Sequence, residues 1–296
     1  MKLVLYMASG LPHHKNWDGI QRMCKSCNID FEYTNCTQRI KENNYDILYC
    51  MSNFINPYDI PQNIKIIYGP QLWVIPVQPM LGTFDENLRD RCVFNLLSTW
   101  VEHYVREFGE FIMPISHFPL AVDTNKFVPS PHEKEYDCLV YIKRRSNDIV
   151  NNTLNVLNQK GLKYKVFTYG SYNEDDYLSS LQKAKFMISL DAHESQGFAL
   201  QEAMSCNVPL LVMDATSIYD EKPDGVHSLY EYLRPKKLIA TSVPYWSDEC
   251  GIKTDEEHLS EDIDRMNSQF APRDYIVRTL SDEVCMKRIL DYFKMV

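Results

Sequence analysis

Apolar runs of strand length alternate with amphipathic runs of helix length along this chain, and one polar, proline-rich stretch, PLAVDTNKFVPSPHEKE at 119–135, interrupts the alternation. Strands separated by helices imply right-handed crossovers and parallel sheets. Before the interruption KLVLYMA, IDFEYTNC, DILYCMS, IKIIYG and CVFNLLST read as strands. NWDGIQRMCKSC and WVEHYVREFG read as helices there, the second with Gly109 as its stop. After it YDCLVYI, KYKVFTYG, KFMISL and PLLVMD read as strands, and NDIVNNTLNVLNQKG, NEDDYLSSLQKA and FALQEAMSC as helices. The interruption has linker composition, with Asp123 and Asn125 shaping its turn. A chain of 296 residues exceeds the usual single domain. The expected fold is therefore α/β: two doubly wound, Rossmann-like domains facing a central cleft. Residues 1–120 form the first, 121–135 the linker and 136–275 the second, while 276–296 form a C-terminal helix packing back on the first. The text from Ser260 onward is helical with a break at Ala271-Pro272, and Pro244 to Gly251 reads as an ordered loop.

Composition narrows the partners. Hydrophobic residues at 45% and charged residues at 24% are those of a globular protein. A net charge of -9 argues against non-specific nucleic-acid binding, so any phosphate site must be local. MKLVLYMASGLPHHK is cut short by Ser9, Gly10 and Pro12, and no stretch approaches the roughly 20 apolar residues of a membrane span. No transmembrane segment is expected, and peripheral membrane contact stays open. Nine cysteines, an odd number without an export signal, point to reduced thiols and a cytoplasmic setting. Cys24-Lys-Ser-Cys27 closes a helical pattern rather than opening one and has no second C-x-x-C, so it reads as two buried or half-buried thiols, and no metal site is expected.

HESQGFALQEA, at 193–203, joins the strand KFMISLDA to the helix FALQEAMSC. Its loop falls at the carboxyl edge of a parallel sheet, where open α/β folds bind ligands. Ser195 reads as the N-cap, which leaves the N–H groups of Gly197, Phe198 and Ala199 aimed outward at the positive end of a helix, suited to phosphate. Gly197 permits close approach to that backbone. Carboxylates accept hydrogen bonds from vicinal hydroxyls, so Glu194 and Glu202 could each hold a sugar ring. Acids near a helix start are also favoured electrostatically, and the pair alone would be helix-end decoration.

Glu194 and Glu202 with Gly197-Phe198-Ala199-Leu200 between them, and Ala203 and Pro209 after, resemble the E-x7-E signature of family 4 retaining glycosyltransferases of the GT-B, two-Rossmann type. Pro119, Val122, Asp123, Phe127 and Pro129 resemble the interdomain segment of the same enzymes. The resemblance implies that Glu194 contacts the donor hexose and Glu202 the nucleotide ribose. It implies transfer from a nucleotide-sugar, UDP- or GDP-linked, to a glycan or other hydroxyl acceptor, with retention of configuration and with no metal or other cofactor.

The family places a basic pair after the first strand of the second domain, and here that strand runs into Lys143-Arg144-Arg145. A departing nucleoside diphosphate gathers negative charge that fixed cations stabilise. Lys143 and Arg145 are the first choices, because alternate residues at a strand end share a face, and Arg144 follows. Glu194, Lys143 and Arg145 are the candidate catalytic residues, and Glu194, Ser195, Gly197, Phe198, Ala199, Leu200, Glu202, Lys143, Arg144 and Arg145 the candidate donor site. On the acceptor side stand Gly10, His13, His14 and Gln71, the last where relatives often carry His. His193 could contact donor or pack at the domain edge, and Trp73 and Trp246 could stack on sugars or fill the core. The alternative reading is a non-catalytic nucleotide- or glycan-binding protein on this fold. A dehydrogenase is disfavoured, since no G-x-G-x-x-G follows the first strand.

Overall fold

The structure is a computed structural model that describes residues 1–7, 13–70, 85–107, 113–131, 133–218 and 238–295. Gly10, Gln71, Trp73 and Gly109 lie outside these residues. The chain divides into two compact units, one of residues 1–121 with 280–296 and one of 122–279.

In the first unit β1 (Lys2–Tyr6), β2 (Asp30–Thr34), β3 (Ile47–Cys50), β4 (Lys65–Tyr68), β5 (Cys92–Asn95) and β6 (Ile115–Ser116) form a parallel sheet in the order β2-β1-β3-β4-β5-β6. β3 and β5 are buried along their whole length, which is why ILYC and CVFN are continuous apolar runs rather than alternating ones. Among the described residues before 121 the helices are α1 (His14–Ser26), α2 (Thr37–Glu42) and α3 (Thr99–Arg106). α2 has no counterpart in the sequence reading: its six residues bury only Ile40 and so carry no helical period. Cys24 in α1 is buried and Cys27 half-buried, both as free thiols.

In the second unit β7 (Tyr136–Lys143), β8 (Tyr164–Thr168), β9 (Ala184–Asp191), β10 (Leu210–Met213) and β11 (Gly251–Thr254) form a parallel sheet ordered β11-β10-β9-β7-β8. Among its described residues it carries the helices α4 (Asn147–Gln159), α5 (Glu174–Gln182), α6 (Phe198–Ser205) and α7 (Leu259–Arg265) ahead of the closing pair. Val140, Leu157, Ile188, Leu211 and Ile263 meet in its core. The loop expected up to Gly251 in fact delivers the edge strand β11. Gly251 has φ 143°, and a Cβ there would lie 1.9 Å from the Leu210 carbonyl oxygen, so only glycine permits this pairing. Two further helices close the chain, α8 (Pro272–Leu280) and α9 (Asp282–Phe293), with a second break at Ser281 besides the one before Pro272. Asp123 receives the N–H groups of Asn125 and Lys126, making the turn its side chain favours.

Each sheet reverses its strand order once, between β1 and β3 in the first unit and between β7 and β9 in the second. Such switch points open a crevice at the carboxyl ends of the strands. Lys143 ends β7 directly opposite Asp191 at the end of β9. The second crevice is thus flanked by the basic run on one side and the HESQG loop on the other.

Candidate functional site

The site is built on that pair of strand ends. The Ala192 N–H donates to the Lys143 carbonyl at 3.1 Å, and the Glu194 N–H to the Thr241 carbonyl at 3.1 Å, so the loop leaves β9 in a fixed direction. Gly197 then takes φ 85° and ψ 52°, a left-handed turn open to glycine at little cost, and serves as the N-cap of α6. Its carbonyl accepts the first helical bond, from the Gln201 N–H at 3.0 Å. The cap is therefore Gly197 and not Ser195, because the helix starts only after the left-handed residue, and no side chain caps it. The Gln201 amide reaches back to the Gln196 carbonyl at 2.6 Å, and the Tyr177 hydroxyl donates to the Ala199 carbonyl at 2.8 Å. Leu200 is buried, while Ser195, Phe198 and Ala199 are half-buried.

Glu194 and Lys143 come together: the ammonium donates to the carboxylate Oε1, and the two side chains are 16% and 14% exposed. The Lys143 Nζ also lies 4.5 Å from the centre of the Tyr169 ring. Burial pulls the Lys143 ammonium down, but the facing Glu194 and Asp191 outweigh it and hold the group above the ordinary lysine value. Glu202 occupies a different neighbourhood. It is buried on α6, where its charge, after burial, helps push the Tyr172 hydroxyl up to about 12.

The basic run does not present two residues on one face. β7 ends at Lys143, and Arg144 adopts a left-handed φ of 55°, which breaks the alternation the strand would have imposed. Arg144 is exposed, whereas Arg145 turns inward, buried, and donates to the Asp191 carbonyl at 3.2 Å and the Asp214 carbonyl at 3.1 Å. His13 and His14 lie exposed after β1 with their rings 4.6 Å apart, at the carboxyl end of the first sheet's switch point. His193 is half-buried beside Glu194, and Trp246 is half-buried with Lys253 Nζ 5.8 Å from its ring centre.

Three residues of this neighbourhood escaped the sequence reading. Asp191 is wholly buried at the end of β9. Asp214 receives the Thr241 hydroxyl at 2.9 Å, the Ser242 N–H at 2.8 Å and Lys253 at 2.7 Å, so it pins the segment whose carbonyl holds Glu194. Tyr169, exposed after β8, covers Lys143. Asp191 and Asp214 each follow an apolar run, KFMISL or PLLVM, so an acid closing a buried strand was the available signal, whereas Tyr169 follows the half-exposed edge strand β8 and carried none. Among the described residues no group of three or more His, Cys, Asp or Glu side chains is placed to hold a metal ion.

No family model matches the sequence, and no curated protein matches it. Solved structures do. AviGT4, a glycosyltransferase involved in avilamycin A biosynthesis, is similar with a TM-score of 0.57 and 10% identity, over 99% of this chain and 97% of that one. The apo form of the lipopolysaccharide outer core galactosyltransferase WaaB has a TM-score of 0.57 and 13% identity, over 100% of both chains. Sucrose-phosphate synthase from Thermosynechococcus elongatus has a TM-score of 0.57 and 10% identity, over 99% of this chain and 98% of that one. At such identities the likeness is one of fold, and the fold is that of the GT-B glycosyltransferases: two Rossmann-like α/β units, each on a parallel sheet.

Proposed function

We propose that this protein is a glycosyltransferase of the family 4 type, moving a sugar from a UDP- or GDP-linked donor to a glycan or other hydroxyl acceptor with retention of configuration and without a metal ion. The observation that carries the reading is the meeting of Lys143 and Glu194 at the second switch point, beside the left-handed Gly197 that opens α6. An ammonium and helix N–H groups there suit a diphosphate. A carboxylate beside them suits the hydroxyls of the sugar it carries.

In this reading the donor diphosphate lies against the start of α6 and Lys143 passes from Glu194 to a phosphate oxygen. Glu194 then accepts hydrogen bonds from the hexose, and Glu202 takes the ribose hydroxyls. Arg144 faces the solvent beside Lys143, and Arg145 braces the strand ends under both. The bond from the anomeric carbon to the phosphate oxygen breaks, and the bond to the acceptor oxygen forms on the same face. The acceptor proton passes to the leaving phosphate oxygen, so no protein base is needed. Lys143 stabilises the charge that gathers on that phosphate. His13 and His14, with Gly10 and Gln71, are assigned to the acceptor side.

Calorimetric titration of the chain with UDP-, GDP- and ADP-sugars tests this. One nucleotide class should bind, and Lys143→Ala and Glu202→Ala should each weaken it by tenfold or more, the measured effect of losing a charge-assisted contact. Binding unaffected by either change would remove the site from this loop. Tight binding with no transfer to any hydroxyl acceptor would favour a non-catalytic nucleotide-binding protein.

A further inference from the structure

Asp191 closes β9 with its side chain wholly inside the protein, at 0% exposure. Neither carboxyl oxygen receives a hydrogen bond from a donor among the described residues. A carboxylate in that position would lose its hydration and gain no donor in exchange, so the ionised form is disfavoured. Burial and the nearby Glu194 carboxyl both raise the Asp191 group well above the usual carboxylate range, and Lys143 and the adjacent Ala192 N–H, which is given to the Lys143 carbonyl, offset this only in part. The other ionisable groups around it, His193 two residues on among them, do not supply the missing donor. Arg145 gives its N–H to the main-chain oxygen of Asp191 and to that of Asp214, the Asp214 carboxylate is taken up by Thr241, Ser242 and Lys253, and Tyr169 lies over Lys143. Tyr141, on β7, is itself held neutral by burial. One ammonium therefore faces two carboxyls, and the second carboxyl needs a proton.

We propose that Asp191 is a positioning residue of the donor site that keeps a proton and shares it with Glu194, fixing Glu194 beside Lys143 and leaving the three groups with no net charge. The inference rests on the donor-site reading above and deepens it. With the proton present, Lys143 cancels the single charge of the carboxyl pair. Without it, a buried negative charge stands where a diphosphate must settle, and the lysine is held more tightly by the pair. Nucleotide binding is therefore linked to the proton: once the pair ionises, the dissociation constant climbs with pH, by up to tenfold per unit.

The test compares the full-length wild type with Asp191→Asn, which keeps the shape and cannot ionise, and with Asp191→Ser as a second non-ionising variant should the first fold poorly. Thermal unfolding is followed from pH 4 to 9. A carboxyl whose folded pKa exceeds its unfolded value, about 3.9, stabilises the fold below that value, and this is lost as pH rises toward the folded pKa. The melting temperature of the variant should therefore gain on that of the wild type as pH rises, and a constant difference at every pH would overturn the buried proton. UDP and GDP are then titrated over the same range. The phosphate's own ionisation is common to both proteins, so the wild type should show an additional weakening with pH that Asp191→Asn lacks. Identical pH profiles would overturn the linkage and leave the donor site standing. No binding by either protein would overturn the donor-site role of Asp191 together with the donor reading, while the unfolding series would still decide where the proton sits.

Discussion

Arg145 shows how one backbone dihedral decides what a charged residue does. Had the strand continued, Lys143 and Arg145 would share a face, but the left-handed Arg144 turns the second guanidinium inward, onto the carbonyls of Asp191 and Asp214. Those carbonyls terminate β9 and follow β10, so Arg145 ties together the strand ends that carry the site. Arg145→Met keeps most of the buried volume and removes the donors. It should destabilise the protein by about 2–3 kcal/mol, the cost of leaving buried acceptors unmet, read from urea unfolding. A loss within about 0.5 kcal/mol, the range of ordinary surface changes, would show that the bridge is dispensable.

At the scale of elements, the site is a loop held by other loops. Glu194 depends on the Thr241 carbonyl, and Thr241 and Ser242 depend on Asp214. Asp214→Ala should weaken nucleotide binding tenfold or more although Asp214 is not assigned to donor. It should also cost about 1–3 kcal/mol of stability through the unmet hydroxyl, N–H and ammonium. Nucleotide titration beside urea unfolding separates the two effects, and unchanged affinity would mean that the 241–243 segment does not set the loop. The α/β alternation was legible because buried parallel strands write themselves as unbroken apolar runs, as in LVLY and LLVM. Glu194 was legible by its spacing to Glu202 across Gly197, and Lys143 by its place at the end of the first strand after the linker. β11 was not, since GIKT is four residues long, half-exposed at a sheet edge and begins with a glycine. The inward turn of Arg145 and the clamp by Asp214 were hidden for another reason: they depend on a single dihedral and on residues 27 positions apart in sequence, which periodicity does not register.

For the whole molecule, the thiols offer a probe of opening. Seven of the nine cysteines are buried, Cys27 is half-buried and Cys36 is exposed. Burial pushes Cys24, Cys92, Cys138, Cys206 and Cys285 up to about 12, so at pH 8 they are both hidden and protonated. A chromogenic disulfide reagent at pH 8 should modify Cys36 fast, Cys27 more slowly and the rest only as the fold opens. Prompt reaction of five or more thiols in the native protein would contradict this packing.

The return of α9 to the first unit has its own consequence. Arg22 on α1 pairs with Asp282 at 3.4 Å and donates to the Ala121 carbonyl at 2.7 Å, so α1 is fastened by residues far along the chain from it. The strands of both units stand before α9 in the sequence, so α1 gains this fastening only once α9 has been made. Domains made first usually fold first. Here a unit begun before the second is finished after it, so the wait for α9 is the stage of biogenesis at which a chaperone has most to shield.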